Sequence, residues 1–216
     1  MEQHYLNMLF SPKSVAVFGA STRKDSVGTI LYKNLVAHFQ GDIFGVNPKY
    51  KTLLGKPAYA SIEDITQEIE LAIIATPAAT ISSIIESCGK RGVKAAIILS
   101  AGFSETGPQG AALQKTLTDT AKLYGVRLLG PNCLGLMRPS IGFNATFYKG
   151  NAQAGNLALV SQSGALCTAI LDWAQANHVG FSSVVSMGTS ADIDFGEILD
   201  YLVSDPNTDS ILLYIE

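Results

Sequence analysis

The chain has 216 residues, enough for one large or two small cores, and 47% are hydrophobic against 15% charged, which excludes a disordered chain. A formal net charge of -3 without any run of Lys or Arg denies it the basic footprint of a nucleic-acid binder, and no stretch nears the ~18 apolar residues of a membrane-spanning helix. Three scattered cysteines, Cys88, Cys133 and Cys167, argue against a disulfide framework or zinc site and point to a reducing cytoplasm; the first residues carry no targeting pattern.

Short apolar, β-branched runs predict strands at 15–18, 42–46, 71–75, 95–99 and 126–129. Segments with helical spacing lie between most of them, as in the stripe Ile81, Ile84, Ile85 and Cys88. The alternation predicts an α/β fold, a Rossmann-like parallel sheet covered by helices on both faces. This first unit is expected over residues 1–135. A connection over 136–150, rich in Gly and Asn and poor in strand signal, leads to a second unit over 151–216. Its strands are expected at 157–160, 183–186 and 211–215, with a helix whose apolar stripe is Leu166, Ala169, Ile170 and Trp173. The series stops at Glu216 inside its third strand, so the second unit reads as truncated and the chain as part of a longer one.

Ligands of open α/β sheets bind beyond the carboxyl ends of the strands, and four strand ends of the first unit carry suitable residues. Gly19, Ala20 and Ser21 follow the first strand, and Gly28 opens the next helix, whose free N–H groups and dipole favour a phosphate; a tight turn that needs glycine accounts for the same residues. The second strand ends in Asn47-Pro48-Lys49, where dinucleotide enzymes place an acid on a ribose diol. Lysine suits a phosphorylated ribose, as in NADP or coenzyme A, and a solvated turn is the plain alternative. Thr76 and Pro77 after the third strand, and Ser100, Ala101 and Gly102 after the fourth, extend the same crevice or simply end a strand and cap a helix. In the second unit Ser161, Ser163 and Gly164 form either another anion seat or an ordinary N-cap. Cys133 has no adjacent histidine to activate it, and His4, His38 and His178 lie in no catalytic motif.

Taken in order, Gly19-Ala20-Ser21, Asn47-Pro48-Lys49, Ser100-Ala101-Gly102-Phe103, Gly130-Pro131-Asn132-Cys133-Leu134-Gly135 and Ser161-Gln162-Ser163-Gly164 resemble the NDP-forming acyl-CoA synthetases and the α subunit of succinyl-CoA synthetase. The resemblance implies a coenzyme A-binding Rossmann-like domain followed by the first part of a flavodoxin-like ligase domain. It implies that Gly19, Ala20, Ser21, Asn47 and Lys49 surround the nucleotide phosphates of coenzyme A or acyl-CoA. Thr76, Pro77, Ser100, Ala101 and Gly102 would line the adenine and pantetheine, with Asn132 and Cys133 near the thiol. Ser161, Ser163 and Gly164 would hold the phosphate of a phosphohistidine, and Glu216 stands where the family has a glutamate that contacts it.

In such ligases acyl-CoA, a nucleoside diphosphate and phosphate are interconverted with acid, coenzyme A and nucleoside triphosphate. ATP or ADP and Mg²⁺ are bound by an ATP-grasp domain or subunit. Neither that domain nor the family histidine lies in this sequence, so the resemblance implies a chain that binds without turning over, and a homo-oligomer is left open. Segments 142–147, 171–175 and 192–202 look like bacterial protein lysine acetyltransferases of the GNAT type, whose synthetase-like front is a coenzyme A-binding regulatory module. Both parents stand at this point. An NADP-dependent Rossmann oxidoreductase explains Lys49 but not 130–135 followed by 161–164, and a purely structural module would bind no ligand.

Overall fold

The computed structural model describes residues 4–216. A turn of helix, α1 (Asn7–Phe10), leads into β1 (Ser14–Phe18), and α2 (Val27–His38) carries the chain to β2 (Asp42–Val46). A hairpin of β3 (Thr52–Leu53) and β4 (Lys56–Tyr59) follows. Then come β5 (Leu71–Ile74), α3 (Ile81–Lys90), β6 (Ala95–Ile98), α4 (Pro108–Tyr124) and β7 (Arg127–Leu129). Across the sheet the order is β3-β4-β2-β1-β5-β6-β7, parallel from β4 to β7. Because β1 sits between β2 and β5, the winding reverses there, and the carboxyl ends of β1 and β5 flank the topological switch point.

The second sheet contains β8 (Gly135–Arg138), β9 (Phe143–Thr146), β10 (Ala154–Ser161), β11 (Phe181–Ser186) and β12 (Ser210–Tyr214), in the order β12-β10-β11-β8-β9. The parallel strands β10, β11 and β12 are joined by α5 (Gly164–Ala176) and α6 (Phe195–Ser204), while β8 runs antiparallel to both β11 and β9. Among the described residues, no helix is long and apolar enough to cross a membrane.

The strands β1, β2, β5, β6 and β7 of the first sheet alternate their side chains between two apolar layers, as the period of two requires. One layer packs Ala16, Ile74 and Ile98 under Ile81, Ile85 and Cys88 of α3 and Leu117 and Ala121 of α4. The other joins Val17, Ile73 and Ile97 to Leu31 and Leu35 of α2 and, across the molecule, to Leu136, Val160 and Val185 of the second sheet and Leu202 of α6. The two sheets therefore share one core.

All eight expected strands are present, and three departures have identifiable causes. The 136–150 stretch read as a strand-poor connection contains most of β8 and all of β9. Its strand signal is hidden because three of its buried residues, Arg138, Asn144 and Thr146, are polar or charged; within the stretch Asn144 Nδ2 donates to Gly150 O at 2.9 Å and Thr146 Oγ1 donates to Asn144 Oδ1 at 2.7 Å. The β3–β4 hairpin turns through Leu54 and Gly55, both at positive φ (49° and 78°), a turn that leucine does not advertise. In α5 the buried stripe is Cys167, Leu171 and Ala174, and Trp173 is 60% exposed. That helix is apolar most of the way round, so periodicity alone did not select its inner face.

A buried ion pair ties β8 to the end of α6: Arg138 Nη2 lies 2.7 Å from Asp205 Oδ1, with side chains 5% and 1% exposed. Burial works against the Asp205 carboxylate, but the Thr208 hydroxyl and Arg138 hold it below its ordinary pKa. Asp205→Ala strands a buried guanidinium and is expected to cost about 3–5 kcal/mol, read as a lowered urea midpoint. In the unsubstituted chain the contribution is full above about pH 4 and fades as pH falls through the lowered carboxyl value. A loss under about 1 kcal/mol would mean that solvent reaches the pair.

Candidate functional site

The β1–α2 turn is built by close approach. Gly19 sits at φ 83°, where an added Cβ would come within 2.5 Å of Ala75 O, and a Cβ on Gly28 would strike the Gly19 carbonyl. The start of α2 is thereby drawn against the end of β1, with its free N–H groups facing the switch point. Asn47 Nδ2 donates to Ala20 O at 2.8 Å, and Lys49 N donates to Asn47 Oδ1 at 3.0 Å, so the loop after β2 is locked to the turn after β1. Thr29 Oγ1 fastens the loop from below, 2.8 Å from both Ser21 O and Arg23 O.

Two adjoining cavities open here and share Gly19, Asn47, Lys49, Ala75 and Pro77. The smaller, about 500 Å³, is a polar bowl with Ser21, Arg23, Ser26 and Tyr50 on its wall. Arg23 and Lys49 bring two exposed cations to the helix start, which suits phosphate groups. The Ser21 hydroxyl, 3.2 Å from Tyr50 OH, draws that phenol below its ordinary pKa. The larger, about 580 Å³, has an apolar floor of Phe18, Val46, Ile62 and Ile84 and a rim of Ser61, Glu63, Ser83 and Ser87 with Thr76. Its shape and polarity suit a flat heterocycle stacked on aliphatic side chains.

Several expected residues lie elsewhere. Ala20 has its side chain in the core, and its carbonyl accepts from Asn47. Ser100, Ala101 and Gly102 line neither cavity. Ser100 Oγ donates to Thr76 O at 2.6 Å, and the Gly102 and Phe103 amides both donate to Glu105 Oε1, at 2.6 and 3.1 Å. The loop after β6 is thus tied to the loop after β5 through Ser100 and closed on itself through Glu105. Arg23, Ser26 and Tyr50 were not singled out in the sequence; the available signal was their position in the two loops that Gly19 and Lys49 begin.

A third cavity of about 490 Å³ lies where the loops after β6 and β7 meet the end of β10 and the start of α5, and it gathers Asn132, Cys133, Ser163, Gly164 and Glu216. Ser163 is the N-cap of α5, its Oγ accepting from Leu166 N at 3.2 Å. Ser161 is fully buried and absent from the lining; its hydroxyl accepts from Ser163 N at 3.0 Å and shapes the turn. Gln162 Oε1 accepts from Glu216 N at 2.6 Å. Asn132 N donates to Ser100 O at 3.0 Å, which links this cavity to the loop after β6 and, through Ser100 Oγ, to Thr76. From β1 through β5 and β6 to β7 the strand ends advance by three spacings, about 14 Å.

Cys133 is 3% exposed, and its thiol donates to Ile98 O at 3.3 Å. Burial pushes its pKa up to about 12, so it is a neutral wall group at physiological pH.

A family model described as a CoA binding domain matches residues 13–139. The chain belongs to that family. A second model, the succinyl-CoA ligase like flavodoxin domain, matches residues 154–216 of this CoA-binding chain. Among curated proteins, it is 46% identical to an ADP-forming acetate–CoA ligase I of Archaeoglobus fulgidus over 98% of its own length and 31% of that protein's. It is 41% identical to the α subunit of an ADP-forming acetate–CoA ligase I of Pyrococcus furiosus, over 98% of itself and 47% of that subunit. The solved acetyl-coenzyme A synthetase 1 of Ca. Korarchaeum cryptofilum, in complex with phosphate and ADP, superposes with a TM-score of 0.94 at 37% identity, over 98% of this chain and 45% of that one. The chain thus spans between about a third and half of these relatives. Coenzyme A is the ligand of its first domain, and the NADP oxidoreductase reading falls away.

All three cysteines are buried and free. A thiol-specific disulfide reagent at about pH 8 is expected to find no fast-reacting thiol in the native chain and three in denaturant. A fast native thiol assigned to Cys133 would contradict the wall role.

Proposed function

We propose that this chain is the coenzyme A-binding and ligase-like front part of an ADP-forming acyl-CoA synthetase. The observation that carries the reading is the placement of Lys49 and Arg23 beside the Gly19 turn at the switch point of a CoA-binding domain. In this reading Gly19, Ser21, Asn47, Lys49 and Arg23 receive the phosphates. The apolar floor at Phe18, Val46 and Ile84, with Thr76 and Pro77 on its edge, takes the adenine. The pantetheine passes Ser100, Ala101 and Gly102 toward Asn132 and Cys133, where the thiol meets the start of α5. In this reading residues 1–135 form the coenzyme A-binding domain and 151–216 the first part of the ligase-like domain, and the connection over 136–150 adds β8 and β9 to the second sheet.

The start of α5, with Ser163 and Gly164 on the cavity and Ser161 behind them, is suited to a phosphoryl group brought by a histidine from outside this sequence, with Glu216 beside it. ATP or ADP and Mg²⁺ would bind an ATP-grasp domain or partner subunit, a division supported by the relative that is itself an α subunit. The relatives named above are ligases, which favours the synthetase over the acetyltransferase parent. Three buried free thiols suit a reducing cytoplasm.

Parallel calorimetric titrations with coenzyme A, acetyl-CoA and NADPH test the reading: the first two should bind and NADPH should not compete. Lys49→Ala should weaken coenzyme A by about 1.5 kcal/mol, roughly tenfold, and dephospho-coenzyme A much less, if the lysine meets the 3′-phosphate. Equal losses for both ligands would remove that contact from the account.

A further inference from the structure

The third cavity has two unlike walls. One is polar: Gln162, Ser163 and Gly164 at the start of α5. The other is apolar: Leu99, Cys133, Leu134 and Phe147. Three of these apolar groups are held rigidly, being 5%, 3% and 3% exposed for Leu99, Cys133 and Leu134. Cys133 Sγ is bonded to Ile98 O, and Leu134 N donates to Ser186 Oγ at 2.9 Å. Phe147 differs, because it is only half-buried and sits at the junction of two core clusters.

The backbone around Phe147 cannot easily retreat. Asn34 Nδ2 donates to Thr146 O and to Tyr148 O, each at 2.9 Å, one on either side of it. Tyr148 N donates to Thr146 Oγ1 at 3.2 Å, and Tyr148 OH donates to Asp172 Oδ1 at 2.6 Å. With the other walls fixed and this backbone pinned, the room left in the cavity is set by the size of the side chain at 147. A thioester whose carbonyl faces the start of α5 would direct its acyl tail at this apolar wall.

We infer that Phe147 is a specificity-determining residue, setting the length of the aliphatic acyl group that the cavity accepts from an acyl-CoA. The inference rests on the coenzyme A reading given above. Each methylene that gains apolar cover strengthens binding about fourfold, and one that meets a filled wall gains nothing or loses. Affinity relative to free coenzyme A should therefore rise along an acyl series up to the length that just reaches Phe147, then stop rising.

The test is titration of this chain with coenzyme A and with acetyl-, butyryl-, hexanoyl- and octanoyl-CoA, alongside Phe147→Ala and Phe147→Trp. Phe147→Ala should move the break to longer chains and improve hexanoyl-CoA over acetyl-CoA by about tenfold, while Phe147→Trp should move it to shorter ones. Free coenzyme A should bind all three proteins alike, which separates a specificity role from damage to the fold. The same break in all three would overturn the inference while leaving the coenzyme A site standing. Failure of free coenzyme A to bind the unsubstituted chain would overturn the site reading and this inference together.

Discussion

The apolar layer shared by the two sheets governs the geometry of everything around it. Val17, Ile73 and Ile97 on one side and Leu136, Val160 and Val185 on the other belong to one continuous cluster, closed by Leu202 and Phe143. Interiors packed to crystal density transmit position rather than absorb it. The carboxyl ends of β1, β5, β6 and β7 and the start of α5 are therefore held as one rigid set, although they come from two sheets and from segments far apart in sequence.

Loops complete that set by bonding to one another. The segment after β11 runs along the end of β7: Ile193 N donates to Leu128 O at 3.1 Å, Ala191 N to Gly130 O at 3.0 Å and Thr189 N to Pro131 O at 3.0 Å. Asp192 accepts from Leu128 N at 2.7 Å and from Arg127 Nε at 3.0 Å, and Arg127 reaches on to Glu197 at the start of α6. The loop bearing Asn132 and Cys133 is thus gripped by the second sheet's own connection. At the nucleotide end, Asn47 does the equivalent work between the loops after β1 and β2. A long, flexible ligand benefits from such preorganisation, because the protein then spends little ordering its own loops.

Much of this was legible beforehand, for physical reasons. Strands buried on both faces announce themselves as continuous β-branched runs, and glycine at a crowded strand end leaves no substitute, so Gly19, Lys49 and the five ordered motifs led to the right family. What was missed depends on partners that the sequence does not place side by side. Asn144 and Thr146 read as loop residues, yet β9 pairs with β8 through both of them and their side chains bond to each other. Ala20 and Ser161 sit in motifs that do form turns, yet their side chains face inward, and Arg23 and Tyr50 reach the site only because two loops fold over each other. Trp173 looked like core because α5 is apolar on nearly every side.

The central claim is that one ligand path runs from Lys49 across the strand ends to the cavity at Ser163. A crystal structure of this chain with coenzyme A tests it most directly. The account predicts the 3′-phosphate beside Lys49 and Arg23, the adenine over Val46 and Ile84, and the thiol between Asn132 and Ser163. A coenzyme bound in the opposite sense, with its nucleotide at the start of α5, or one lying off the strand ends altogether, would contradict it.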